Sequence, residues 1–118
     1  MNKRSVGTKG EDRAVAYLET LKYKVLERNY RSHFGEIDII AKDRSHTVFV
    51  EVKSRNSYLF GSPHESIVNK KKRRIILTAV DYMQKNHLIN KPIRFDVVAI
   101  NPDGSIELIK NAFDAEYK

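Results

Sequence analysis

Gly35-Glu36-Ile37-Asp38-Ile39-Ile40-Ala41-Lys42 and Thr47-Val48-Phe49-Val50-Glu51-Val52-Lys53 decide how this chain folds. They read as a β-hairpin with strands over Glu36–Ala41 and Thr47–Lys53, whose side chains alternate between two faces. One face carries Ile37, Ile39, Ala41, Val48, Val50 and Val52 and is the expected core face. The other carries Glu36, Asp38, Ile40, Phe49, Glu51 and Lys53. A turn at Asp43 to His46 sets Lys42 opposite Thr47, and therefore Asp38 opposite Glu51 and Glu36 opposite Lys53. Like charges directly opposed on a sheet destabilise it. The two carboxylates need a compensating cation. A hard divalent ion such as Mg²⁺ is the natural one, because it takes oxygen ligands from one or two carboxylates and keeps water. The bland alternative is a solvated face with a Glu36–Lys53 ion pair contributing about 0–1 kcal/mol. Ile40 and Phe49 weigh against it, since they partly cover that face and an unpaired carboxylate there is costly.

Outward from the hairpin, a first helix is expected over Thr8–Lys22. Thr8 is its N-cap, Glu11 stands at the capping-box offset, and Ala14, Val15, Leu18 and Leu21 form the apolar stripe. A strand follows over Tyr23–Tyr30. Beyond the hairpin, Asn56–Pro63 reads as a loop. A long helix spans Glu65–His87, with Ile76, Ala79, Val80 and Met83 on its apolar face. Strands over Ile93–Ile100 and Ser105–Ile109 flank the turn Asn101-Pro102-Asp103-Gly104. The order α-β-β-β-α-β-β predicts an α/β fold, a mixed twisted sheet with helices on its faces. The long helix leaves room for a parallel crossover between the third and fourth strands.

At 118 residues the chain is read as one domain, 1–118. It has no cysteine, which excludes disulfides and thiolate metal sites. No apolar run approaches the roughly 20 residues of a membrane span, and Met1–Gly10 lacks the apolar segment of a secretory signal. A cytoplasmic protein with no membrane partner is expected. The net charge of +7 favours a polyanionic partner, nucleic acid first and an anionic membrane surface second.

Glu11 is a helical neighbour of Ala14, Val15 and Leu18 and so lies on or beside the apolar stripe. It is either a first-turn glutamate bound to its own helix end, or a third carboxylate aimed at Asp38 and Glu51. Asn69-Lys70-Lys71-Lys72-Arg73-Arg74 is the densest charge run. On a helix it surrounds the axis, so not all of it meets one ligand. It is either a solvated helix start or a phosphate-contacting patch, which Arg28, Arg31, Ser54 and Arg55 extend. His33, His46, His64 and His87 show no metal-ligand spacing. Asp96 is a structural ion-pair candidate and is left out of the site.

Glu11, Asp38 and Glu51-Val52-Lys53, in this element order, resemble the PD-(D/E)XK nuclease superfamily, which has a restriction-endonuclease-like α-β-β-β-α-β core. Arg28-Asn29-Tyr30-Arg31, Gly35-Glu36-Ile37-Asp38, Val48-Phe49-Val50-Glu51-Val52-Lys53-Ser54-Arg55 and Arg94-Phe95-Asp96-Val97-Val98 look like the YraN family of small bacterial proteins, similar to Holliday-junction resolvases. Ile37 stands where the superfamily name has proline. The resemblance implies a Mg²⁺- or Mn²⁺-dependent endonuclease acting on DNA, with branched DNA as a candidate substrate. Asp38, Glu51 and the Val52 carbonyl would hold the ion. Lys53 would orient water and offset phosphate charge, and Glu11 would hold the metal through water. Arg31, Arg55, Lys70, Lys71, Lys72, Arg73 and Arg74 would contact nucleic acid. Related resolvases work as homodimers, and Ile106, Leu108 and Ile109 are candidate interface residues. The rival readings are a nucleic-acid-binding module without turnover and a docking domain for an acidic protein.

Overall fold

The structure, a computed structural model, describes residues 4–55 and 69–113, with side chains from residue 10 onward. The expected loop Asn56–Pro63 and the expected start of the second helix at Glu65 lie outside the described residues.

Helix α1 runs over Arg4–Thr20. It begins four residues before the expected Thr8, so Thr8 is interior and Glu11 is not a first-turn residue. The capping-box reading therefore fails. Gly7 and Gly10 disfavour an early helix start by about 1 kcal/mol each relative to alanine, and packing of Ala14 and Leu18, both fully buried, overrides that. The helix stops where the Tyr23 amide donates to the Leu18 carbonyl and the Lys22 amide to that of Glu19, each at 3.0 Å. Lys22 takes φ 71°, so this is a Schellman ending with lysine in the place that glycine usually fills. Tyr23 and Leu18 join the same apolar cluster, the hydrophobic contact that accompanies such an ending. Leu21, expected on the stripe, falls past the last turn and is exposed.

Strands β1 (Lys24–Ser32), β2 (Gly35–Asp43) and β3 (His46–Ser54) form an antiparallel meander. Helix α2 (Asn69–Lys85) follows, then β4 (Ile93–Ile100) and β5 (Ile106–Ile109). The sheet order is β1-β2-β3-β4-β5. β3 and β4 pair in parallel, and the other pairs are antiparallel, so the sheet is mixed as expected. The α-β-β-β-α-β core with an added C-terminal strand is present. The turn after β4 closes through the Gly104 amide on the Asn101 carbonyl at 2.9 Å.

The expectation of a single core face is corrected. α1 packs Ala14 and Leu18 against Ile39, Ala41, Val48 and Val50 on one side of the sheet. α2 packs Ile75, Ile76, Ala79, Tyr82 and Met83 against Ile40, Phe49 and Phe95 on the other. Both faces of the central hairpin are thus buried, as a βαβ crossover requires. Ile37, expected beside Ile39, belongs instead to the α2 side with Ile40. Strict alternation is broken between them, at Asp38. Its neighbour across β1 is Asn29, which adopts φ 55°, and the two are missing from the β1–β2 register, which also shifts by one residue between Val25 and Glu27. Nearby, Gly35 at φ 153° brings the backbone so close to α2 that an added Cβ would stand 3.3 Å from the Arg74 Cβ.

Candidate active site

The hairpin register is as read from the sequence from Asp43↔His46 through Ile39↔Val50. It stops there. Asp38 does not pair with Glu51 through the backbone; its Oδ2 accepts the Val52 amide at 2.8 Å. A carboxylate has replaced the acceptor that the next rung of β2 would have supplied. The break has two consequences. Asp38 is fixed by a main-chain donor, and β3 beyond Val50 has an edge no longer covered by β2. In an extended strand the amide and carbonyl of one residue point the same way, so the Val52 carbonyl faces this gap too.

A cavity of about 430 Å³ opens there, lined by Gly10, Glu11, Glu36, Asp38, Glu51, Val52, Ser54 and Lys71. The structure therefore brings Glu11, from α1, together with Asp38 and Glu51. Burial, the Glu51 hydrogen bond and the Glu51 charge push the Asp38 carboxyl up to about 7, against the Val52 amide and Lys71, which pull it down. Glu11 is also raised, by burial first and by Asp38 second. Its side chain is 15% exposed, and its Oε1 is buried without a hydrogen-bond partner; Arg28 Nη2 stands 3.7 Å away. Among the described residues no three His, Cys, Asp or Glu side chains converge tightly enough to hold a metal by themselves. The oxygen set that fits a hard divalent ion is narrower: the Asp38 and Glu51 carboxylates and the Val52 carbonyl, with water for the rest.

The cation found on these carboxylates is not the one the sequence singled out. Lys71 of α2 makes an ion pair with Glu51 Oε2. Lys53, two residues beyond Glu51 on β3, is half-buried and makes no ion pair among the described residues. The expected Glu36–Lys53 pair is replaced by Glu36–Arg31 at 3.0 Å, because β1 extends to Ser32 and sets Arg31 opposite Glu36. No periodicity in the sequence signals the Lys71–Glu51 contact, which depends on how α2 docks.

The basic run divides as a helix must. Lys70, Lys71 and Arg74 line a second cavity of about 510 Å³ with Gly35, Glu36 and Ile75. It adjoins the first, sharing Glu36 and Lys71. Lys72 turns toward the Phe113 ring, 5.7 Å from its centroid, and Arg73 is exposed. Arg55 is largely buried, its Nη1 3.5 Å from Asn101 Oδ1 and 3.9 Å from Glu107 Oε2. Ile106 and Leu108 pack inward on the α1-side cluster rather than standing free for a partner. Asp96 is the structural residue expected: it is fully buried and accepts from Arg94 Nε at 2.8 Å. No helix is long and apolar enough to cross a membrane among the described residues.

These features define an α/β protein with an α-β-β-β-α-β core and an acidic cavity at the break in its central hairpin. The profile of the uncharacterised protein family UPF0102 matches residues 10–100. A UPF0102 protein of Persephonella marina is 51% identical over 111 residues, covering 94% of this chain and 95% of the relative. One from a Sulfurihydrogenibium species is 49% identical, covering 98% and 100%. One from Geobacter metallireducens is 43% identical, covering 99% and 98%. The chain belongs to the UPF0102 family, to which the YraN resemblance had pointed.

Proposed function

We propose that this protein is a metal-dependent endonuclease that hydrolyses phosphodiester bonds in DNA, with branched or otherwise structured DNA as its substrate class. The observation that carries the reading is the broken ladder at Asp38. It gathers Asp38 and Glu51 in one cavity with more negative charge than a folded interior tolerates unaided. Asp38, Glu51 and the Val52 carbonyl would hold Mg²⁺ or Mn²⁺. When bound, such an ion supplies Lewis-acid activation of water and offsets charge on the phosphate. The Val52 amide keeps the Asp38 carboxylate aimed. Lys53, on the same strand face as Glu51, orients the attacking water and stabilises negative charge developing on the phosphate. Glu11 contributes its buried Oε1 through water. Lys70, Lys71 and Arg74, with Arg31 nearby on Glu36, supply sequence-independent contacts to the DNA backbone.

The second reading is a nucleic-acid-binding module without turnover. The ammonium of Lys71 on Glu51 favours it, since that contact satisfies a carboxylate without a metal. One experiment separates the two. Labelled duplex, single-stranded, flap and four-way-junction DNA are incubated with Mg²⁺ or Mn²⁺ and pure wild type, Asp38→Ala or Lys53→Ala. Cleavage by wild type with a loss of about 10³-fold or more in both variants is expected, comparable to about 4 kcal/mol of transition-state stabilisation. Binding without cleavage under every condition leaves the module reading.

A further inference from the structure

The acidic cavity already has a cation of the chain's own, and its two partners are unequally held. The Glu51 side chain is 6% exposed and that of Lys71 is 50% exposed. The anion is locked in the sheet, while the cation hangs on a flexible stem from α2 with half its surface in water. Burial alone pulls the Lys71 ammonium toward its neutral form. The Glu51 hydrogen bond and the charges of Glu51, Asp38 and Glu36 outweigh that and hold it charged.

Lys71 also lines both cavities, the acidic one and the groove bounded by Gly35, Lys70, Arg74 and Ile75. It stands at their junction. An ammonium and a hard divalent ion on the same carboxylate repel one another at contact distance, so the two compete for Glu51. On the metal reading given above, one must leave when the other arrives.

We propose that Lys71 is a displaceable internal counter-ion. It satisfies Glu51 when no divalent ion is present, leaves when Mg²⁺ or Mn²⁺ binds Asp38 and Glu51, and then joins Lys70 and Arg74 in the adjacent groove as a contact for a phosphate of the nucleic acid. Two linked effects follow. Divalent ions bind more weakly than they would to the same carboxylates without Lys71, because they must displace it. Reciprocally, a loaded site binds a phosphate polyanion more tightly, by a freed lysine in addition to the ion's own charge. The cation at the site is thereby a device that keeps metal loading and DNA binding in step.

The full-length protein tests this without any turnover assay. Mn²⁺ binding is measured by calorimetry for wild type, Lys71→Met and an Asp38→Asn/Glu51→Gln control. The Lys71 side-chain resonance is followed by ¹³C NMR during a Mg²⁺ titration, assigned by its loss in Lys71→Arg. The expected result is Mn²⁺ binding about five- to tenfold tighter in Lys71→Met than in wild type, with a Lys71 signal that shifts as Mg²⁺ saturates. Equal or weaker binding in the variant, or a Lys71 signal unmoved at saturation, overturns the counter-ion role and leaves the metal site standing. Heats of wild type and Lys71→Met that both match the carboxylate control overturn the metal site itself. If Lys71→Met fails to fold, the wild-type resonance decides alone.

Discussion

Two of the ionic clusters on this sheet follow opposite rules. Around Arg94 every group is answered. Nε donates to Asp96 Oδ1 at 2.8 Å, and Nη2 reaches Asp96 Oδ2 and Asp43 Oδ2 at 2.9 Å each. The Tyr23 hydroxyl donates to Asp96 at 3.0 Å, and the Asn111 amide completes the carboxylate at 3.0 Å. The guanidinium is held charged by its hydrogen bond to Asp96, against the cost of burial, and burial with Asp96 holds the Tyr23 phenol protonated. Around Asp38 the accounts do not close. Glu11 keeps a buried oxygen without a partner, Asp38 is pushed up to about 7, and Lys71 covers Glu51 from a half-exposed position. A cluster that balances itself is architecture; one with surplus charge of a single sign has capacity for something more.

That contrast can be broken most forcefully at Arg94. Arg94→Met leaves Asp96 buried without its charge partner and is expected to cost about 3–5 kcal/mol, read by urea unfolding. A loss below 1 kcal/mol would mean that the cluster is not the closed structural unit described. At the other cluster the same kind of change has the opposite sign. The carboxyl of Asp38 binds its proton more tightly in the folded chain than in the unfolded one. Stability from this group is therefore greatest at low pH and falls as pH rises from about 4 through about 7. Asp38→Asn lacks that fall and, without divalent ions, is expected to gain about 4 kcal/mol on wild type between pH 4 and pH 8. Parallel stability profiles for the two proteins would place Asp38 among ordinary paired carboxylates. The smallest effect is at Glu11. Glu11→Gln is expected to stabilise by about 0.5–1 kcal/mol at pH 8, and the gain should shrink in an Asp38→Asn background, because the two sites share one repulsion. Full additivity in the double variant removes Glu11 from the cluster.

The local parts of this architecture were readable from residues near one another in the chain. The Asp43–His46 turn fixed the register, the Asn101–Gly104 turn fixed the last two strands, and Asp96 stood out as an ion-pair residue, whose partner, Arg94, the structure supplies. The misreadings arose where a distant element decides. Ile37 changes face because Asn29, in the neighbouring strand, takes φ 55° and disturbs the pleat. Glu36 takes Arg31 rather than Lys53 because β1 outruns its expected end. α1 starts early because tertiary packing outweighs two glycines. Lys71 was visible as a basic residue, but its place on Glu51 requires the docked helix, which no spacing along the chain encodes.

Gly35 gives that docking a mechanical meaning. The hairpin and α2 touch where a side chain is missing, so the gap between them is gauged by a single hydrogen atom. Three residues along the helix from Arg74 sits Lys71, and three along the strand from Gly35 sits Asp38. Any wedge at position 35 tilts the helix like a lever about this fulcrum and changes the spacing between opposite charges further out. A position with no polar side chain and no titratable proton is thus the adjusting screw of the acidic cavity.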